Sequence, residues 1–126
     1  MRLRFLLLAA LAALGGCQTA GSDAAPDTSS PSYAVDNLRR GMPYSEARAV
    51  LAFGGWEGQP YPAATAAQRC VGREECAIYP ETELCSGPGL GTCRFNFVNA
   101  DGERLVVTAA GASPGQMRLN GWGYVR

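Results

Sequence analysis

Five cysteines carry the most distinctive chemistry in this chain of 126 residues: Cys17, Cys70, Cys76, Cys85 and Cys93. Between the last four lie five, eight and seven residues. A structural zinc site takes paired ligands at C-x2–4-C spacing, and a thioredoxin-like redox centre takes C-x-x-C. Neither spacing occurs, so no metal is expected. Four cysteines in an exported chain read instead as two disulfides, with three possible connectivities. Cys85 and Cys93 flank a glycine-rich loop that leads into a strand, so Cys85–Cys93 is the expected bond and Cys70–Cys76 follows by default. Each should add roughly 2–3 kcal/mol by restricting the unfolded chain.

What is missing narrows the chemistry further. The chain has no histidine and no lysine. Histidine is the commonest general base near neutral pH, and a Ser-His-Asp or Cys-His device cannot be built without it. Glu74, Glu75, Glu81 and Glu83 could in principle supply an acid/base pair, but that needs a carboxylate in an apolar pocket. They fall in a polar stretch, and a solvated surface is expected. The run Ser86-Gly87-Pro88-Gly89-Leu90-Gly91-Thr92 lacks the following helix and the Lys-Ser/Thr of a phosphate loop. It reads as a hairpin loop pinned by Cys85 and Cys93. Asp101-Gly102-Glu103 lacks the rest of a calcium loop. No enzyme activity and no cofactor are expected.

Aromatic residues are the remaining candidates. Two tryptophans in a domain this small commonly cap a core, yet Trp and Tyr are also what interface anchors are made of. Trp56, Trp122 and Tyr124 are therefore the candidate interface residues, the last two lying beyond the clear strand alternation near the C-terminus.

The chain's first residues give an address. Met1-Arg2-Leu3-Arg4 is cationic, and Phe5 to Leu14 carries no charge. This is the layout of a secretory signal peptide, too short to span a bilayer as a mature helix. Leu14-Gly15-Gly16-Cys17 resembles the bacterial lipobox, which implies cleavage after Gly16 and acylation of Cys17. Lipid on Cys17 leaves four cysteines, an even number. Gln18 stands where Asp would retain an enterobacterial lipoprotein at the inner membrane, so the resemblance implies the outer membrane, facing the periplasm. Arg2 and Arg4 leave with residues 1–16; nine Arg then face eleven Asp and Glu, a net charge of about −2. No basic stripe is left for nucleic acid. The membrane is reached through the lipid on Cys17, and the partner expected is an envelope protein.

The elements that must position these residues follow. Residues 17–32 hold no large apolar side chain and read as a flexible tether. The domain spans 33–126. Asp36 to Arg40 suggests a short helix ended by Gly41, and Pro43 opens a second whose stripe is Tyr44, Ala47, Val50 and Leu51. Gly54-Gly55 stops it. Gln59 to Gly72 reads as a loop. Ala77–Tyr79 and Glu83–Cys85 are short strand candidates. Cys93, Phe95 and Phe97 then alternate with polar neighbours, Asn99 to Gly102 turns, Leu105 and Val107 share a face, and Met117 and Leu119 begin another strand. The expected fold is α+β: two N-terminal helices packed on an antiparallel meander of three or four strands, with two disulfides.

The segment from Leu38 to Leu51, with Gly41-Met42 and Glu46, resembles the opening of BamE-like (SmpA/OmlA) domains, whose fold type the β-lactamase-inhibitor repeat shares. Ala47 and Ala52-Phe53-Gly54 depart from that pattern. Tyr79-Pro80-Glu81 followed by Cys85 to Phe95 is similar to a family of uncharacterised proteobacterial lipoproteins. The resemblance implies a small protein-binding domain, and so a non-enzymatic adaptor in the envelope. An inhibitor of an envelope or secreted hydrolase and a small-ligand-binding module are the alternatives.

Overall fold

The computed structural model describes residues 27–60, 66–70, 72–86 and 91–126. The signal segment 1–16, Cys17 and most of the tether lie outside the described residues. No described helix is long and apolar enough to cross a membrane.

The first helix, α1, spans Pro31–Asp36 rather than Asp36 to Arg40, and so begins inside the stretch assigned to the tether. The reason is local. Ser30 is its N-cap, and the Ser30 hydroxyl accepts the Tyr33 N–H at 3.2 Å. Pro31 occupies the first turn, where its missing N–H costs nothing. Asn37 ends the helix, its side-chain amide donating to the Tyr33 carbonyl at 2.8 Å. Helix α2, Tyr44–Phe53, follows Pro43 as expected and buries Tyr44, Ala47 and Leu51. It ends at Gly54, where a Cβ would stand 2.4 Å from that of Ala34. Bare backbone there lets the two helices touch.

Strand β1 is only Glu57–Gly58. Two short helices follow, α3 at Ala66–Cys70 and α4 at Glu75–Ile78, where a loop and a strand were expected. Helical hydrogen bonds from Ala77 and Ile78 to the Glu74 carbonyl, at 3.0 and 3.1 Å, make α4 a single turn next to the Cys70–Cys76 bond. Strands β2 (Thr82–Cys85), β3 (Thr92–Val98), β4 (Arg104–Ala110) and β5 (Arg118–Val125) complete the chain. The architecture is α+β, with one antiparallel sheet of five strands, more than the three or four expected.

The sheet order is β1-β3-β4-β5, and β2 shares the outer edge of β3 with β1. β1 covers Phe97 and Val98, while β2 covers Cys93 to Phe95. Cys93, Phe95 and Phe97 of β3, Leu105, Val107 and Ala109 of β4 and Leu119 of β5 form the buried face, which α2 meets with Tyr44 stacked on Phe95 at 3.8 Å. A register shift falls between Thr108 and Ala109, opposite Asn120. It turns the strand, so that Trp122 pairs with Val107 and Tyr124 with Leu105. That bulge explains why the Met117-Leu119 alternation does not run on to the C-terminal aromatics.

Candidate functional site

Three arrangements bring chemistry-bearing side chains together. The first lies under α2. Tyr44 and Arg48 are four residues apart and share a helix face, and both reach Glu81, which precedes β2. The Tyr44 hydroxyl donates to one Glu81 oxygen at 2.7 Å, and Arg48 donates to both oxygens at 2.6 and 3.2 Å. Glu81 is 2% exposed. Arg48 also lies over the Tyr79 ring at 5.4 Å. Burial, then the adjacent Glu81 carboxylate, raises the Tyr44 hydroxyl pKa far above its usual value, so it stays a donor. The hydrogen bond to Glu81 likewise raises the pKa of Arg48. A cleft of about 480 Å³ opens beside this cluster, lined by Ser45, Arg48, Trp56, Glu57, Tyr79 and Phe97 among others. Among the described residues its one lining cation, Arg48, is paired with Glu81.

The second arrangement surrounds the disulfides. Cys70–Cys76 and Cys85–Cys93 are both formed, and the Cys70 and Cys85 sulfurs touch at 3.7 Å. Glu75, 1% exposed, sits beside them and pairs with Arg73 at 2.6 Å. Arg73 also donates to the Gly111 carbonyl at the end of β4. Burial pushes the Glu75 pKa up, but hydrogen bonds from Arg73 and the backbone, with the Arg73 charge, outweigh it and hold it below the ordinary value. A Glu75 oxygen and the sulfurs of Cys85 and Cys93 lie within 4.8 Å of one another. The sulfurs are bonded to each other and the carboxylate to Arg73, so this group has no ligand to give a metal.

These two clusters correct the expectation that Glu74, Glu75, Glu81 and Glu83 form a solvated surface. Glu74 is exposed and Glu83 half-buried against Arg94 at 2.8 Å, but Glu75 and Glu81 are buried. Each is buried because an arginine and further donors satisfy it. Hydropathy cannot show such pairing. The sequence signal for one pair was the i, i+4 spacing of Tyr44 and Arg48; Glu81 is too distant in sequence to be matched with them.

The third arrangement is the free edge of β5. Its first part is covered: the Leu119 N–H donates to the Met42 carbonyl at 2.8 Å, and the Gly41 N–H to the Leu119 carbonyl at 2.7 Å. From Gly121 to Val125, among the described residues, no backbone group makes a hydrogen bond on the side away from β4. Tyr124 is 49% exposed, and Val125 is exposed beside it. Gly121 and Gly123 occupy the outer face of the sheet opposite Thr108 and Val106, where nothing lies within 4 Å of a Cβ built on Gly123. A shallow trough of about 370 Å³ follows, lined by Arg94, Val106, Thr108 and the backbone of β5. Burial, then the charges of Glu103 and Asp36, raises the Tyr124 pKa and keeps its hydroxyl neutral.

The candidate interface residues thus divide. Trp56 is 2% exposed, and its indole N–H donates to the Pro31 carbonyl at 3.0 Å. It is a core residue joining α1 to the sheet, almost wholly buried rather than presented to solvent. Trp122 is half-buried against the core. Tyr124 is open to solvent, with its ring 5.9 Å from that of Trp56. Cys17 lies outside the described residues. Compared with known proteins, the chain matches no family model, no curated protein and no solved structure.

Proposed function

We propose that this protein is a lipid-anchored, non-enzymatic adaptor on the periplasmic side of the outer membrane, and that it captures an extended segment of another envelope protein along β5. The observation that carries the reading is the open edge from Gly121 to Val125. An unpaired strand edge is a template for another chain, and soluble proteins ordinarily blunt it with Lys, Pro or a covering element. Among the described residues the edge from Gly121 to Val125 holds none of these, its bulge lying before it at Asn120, and it alternates glycine with Trp122 and Tyr124. In strand addition, main-chain hydrogen bonds supply affinity and alternate side chains supply specificity. The resemblance of Leu14 to Cys17 to a lipobox, and of Leu38 to Leu51 to BamE-like domains, supports the same reading.

The test is capture from solubilised membranes. Gly123→Lys adds to the edge the charge that natural edges use for protection, at a position with space for it. The parent chain should enrich a defined set of envelope proteins over a Cys17→Ala control, and Gly123→Lys should lose them while melting at the same temperature. Equal capture by parent and Gly123→Lys would contradict the reading.

A further inference from the structure

A second surface is defined by where the described chain begins. Helices α1 and α2 leave a groove of about 380 Å³ between them, lined by Thr28, Tyr33, Ala34, Asn37, Val50 and Phe53, with Ala49. None of these side chains is charged. Phe53 at its rim is 68% exposed, more than any other large hydrophobic side chain described. Ala49 and Ala52 beside it on α2 are exposed too. This apolar face has no partner among the described residues.

The length of chain before it indicates what covers it. Cys17 lies ten residues before Asp27, and ten residues reach at most about 36 Å even fully extended. Thr28, the next residue, already lines the groove. An acyl chain on Cys17 therefore confines the mouth of this groove to the neighbourhood of the bilayer.

We propose that the α1–α2 groove, with Phe53 leading, seats on the lipid surface that holds Cys17. The proposal rests on the reading of Cys17 as the lipidated residue. Seating is apolar rather than electrostatic, because no Arg lines the groove; salt should not release it. The geometry suits the adaptor role. The groove of α1 and α2 and the trough along β5 share no lining residue, so a bilayer at the first leaves the second a separate surface.

The test uses the chain from Cys17 onward, coupled through the Cys17 thiol to a maleimide lipid in zwitterionic phosphatidylcholine vesicles. Cys17 is the one cysteine outside the two disulfides. Phe53→Trp and Leu84→Trp place reporters at exposed positions, Leu84 being 52% exposed on the far strand β2. Brominated lipid should quench the added emission at position 53 at least twofold, at low and at high salt, and leave that at position 84 unchanged. Equal quenching at both positions, or none at position 53, would overturn the proposal. So would a concentration-dependent blue shift of the position-53 emission without vesicles, which would make the occupant a second copy of the chain. Lipid labelling of Cys17 in cells is read separately: its absence would overturn the anchor reading and, with it, the proposed seat on that membrane, whereas unquenched position 53 beside a labelled Cys17 would overturn the seat alone.

Discussion

The two edges of the sheet are treated in opposite ways. At one, β3 gives its whole outer side to β1 and β2, the Cys85–Cys93 bond crosslinks β2 to β3, and buried Glu81 ties the edge back to α2 through Tyr44 and Arg48. At the other, β5 is covered as far as Leu119 and bare from Gly121 onward. Covalent bonds and buried charges concentrate where the described chain between β1 and β2 forms only the short helices α3 and α4. The open edge needs none of them because β5 is already held along its length by β4. On the proposed reading, stability and recognition fall on different sides of a small domain.

The largest effects should come from breaking the sealed edge. Arg48→Met leaves the buried Glu81 carboxylate with only its Tyr44 hydrogen bond; because Arg48 itself is 44% exposed, the cost is that of an under-satisfied buried charge rather than of a fully buried pair, about 2–3 kcal/mol. Urea unfolding should show that loss as a lowered midpoint with an unchanged slope. Replacing Cys85 and Cys93 together by alanine should cost roughly 2–3 kcal/mol through the freed unfolded chain, read by the same titration.

Acid should act on the sealed side as well. The Glu75 pKa is held below 4.5 in the folded protein. A carboxyl depressed in this way contributes stability that is fully present above its unfolded pKa and is lost as pH falls through the folded one. The parent should therefore lose stability below about pH 4.5. Glu75→Gln should be less stable than the parent at pH 7, and the gap should shrink as pH falls. A gap that stays constant down to pH 2 would show that the Arg73–Glu75 charge does not contribute.

Two glycines give a smaller, paired comparison. A Cβ on Gly58 in β1 would meet that of Glu81 at 3.0 Å, whereas one on Gly123 in β5 meets nothing within 4 Å. Gly58→Ala should cost about 1 kcal/mol by overpacking, and Gly123→Ala should stay within about 0.5 kcal/mol of the parent. Thermal melts of the two variants measure the difference directly.

Much of the sheet was legible in the sequence. The alternation of Cys93, Phe95 and Phe97 and of Leu105 and Val107 marks an inner face that the structure buries, and Pro43 with Gly54-Gly55 bounds α2. The expected Cys85–Cys93 bond across its loop, with Cys70–Cys76 by default, is the pairing formed. What escaped depended on partners distant in sequence. Glu75 and Glu81 look like surface residues until Arg73 and Arg48 are brought to them. The start of α1 at Pro31 was hidden because its apolar face is short, Ala34 and Val35, and only the Ser30-Pro31 cap marked it. The inward turn of Trp122 and Tyr124 required a bulge that no periodicity shows. The open edge was not legible at all, since it is defined by the absence of a neighbour.

The central claim is that the bare edge of β5 receives another chain. It is tested most directly by photocrosslinking in intact membranes, with a benzophenone side chain at Tyr124 or at Leu84, which are 49% and 52% exposed. Closely similar exposure makes the comparison one of position. The predicted result is a discrete protein adduct from position 124, absent from position 84 and lost when Gly123→Lys is added. The same adducts from both positions, or none from position 124, would contradict the account.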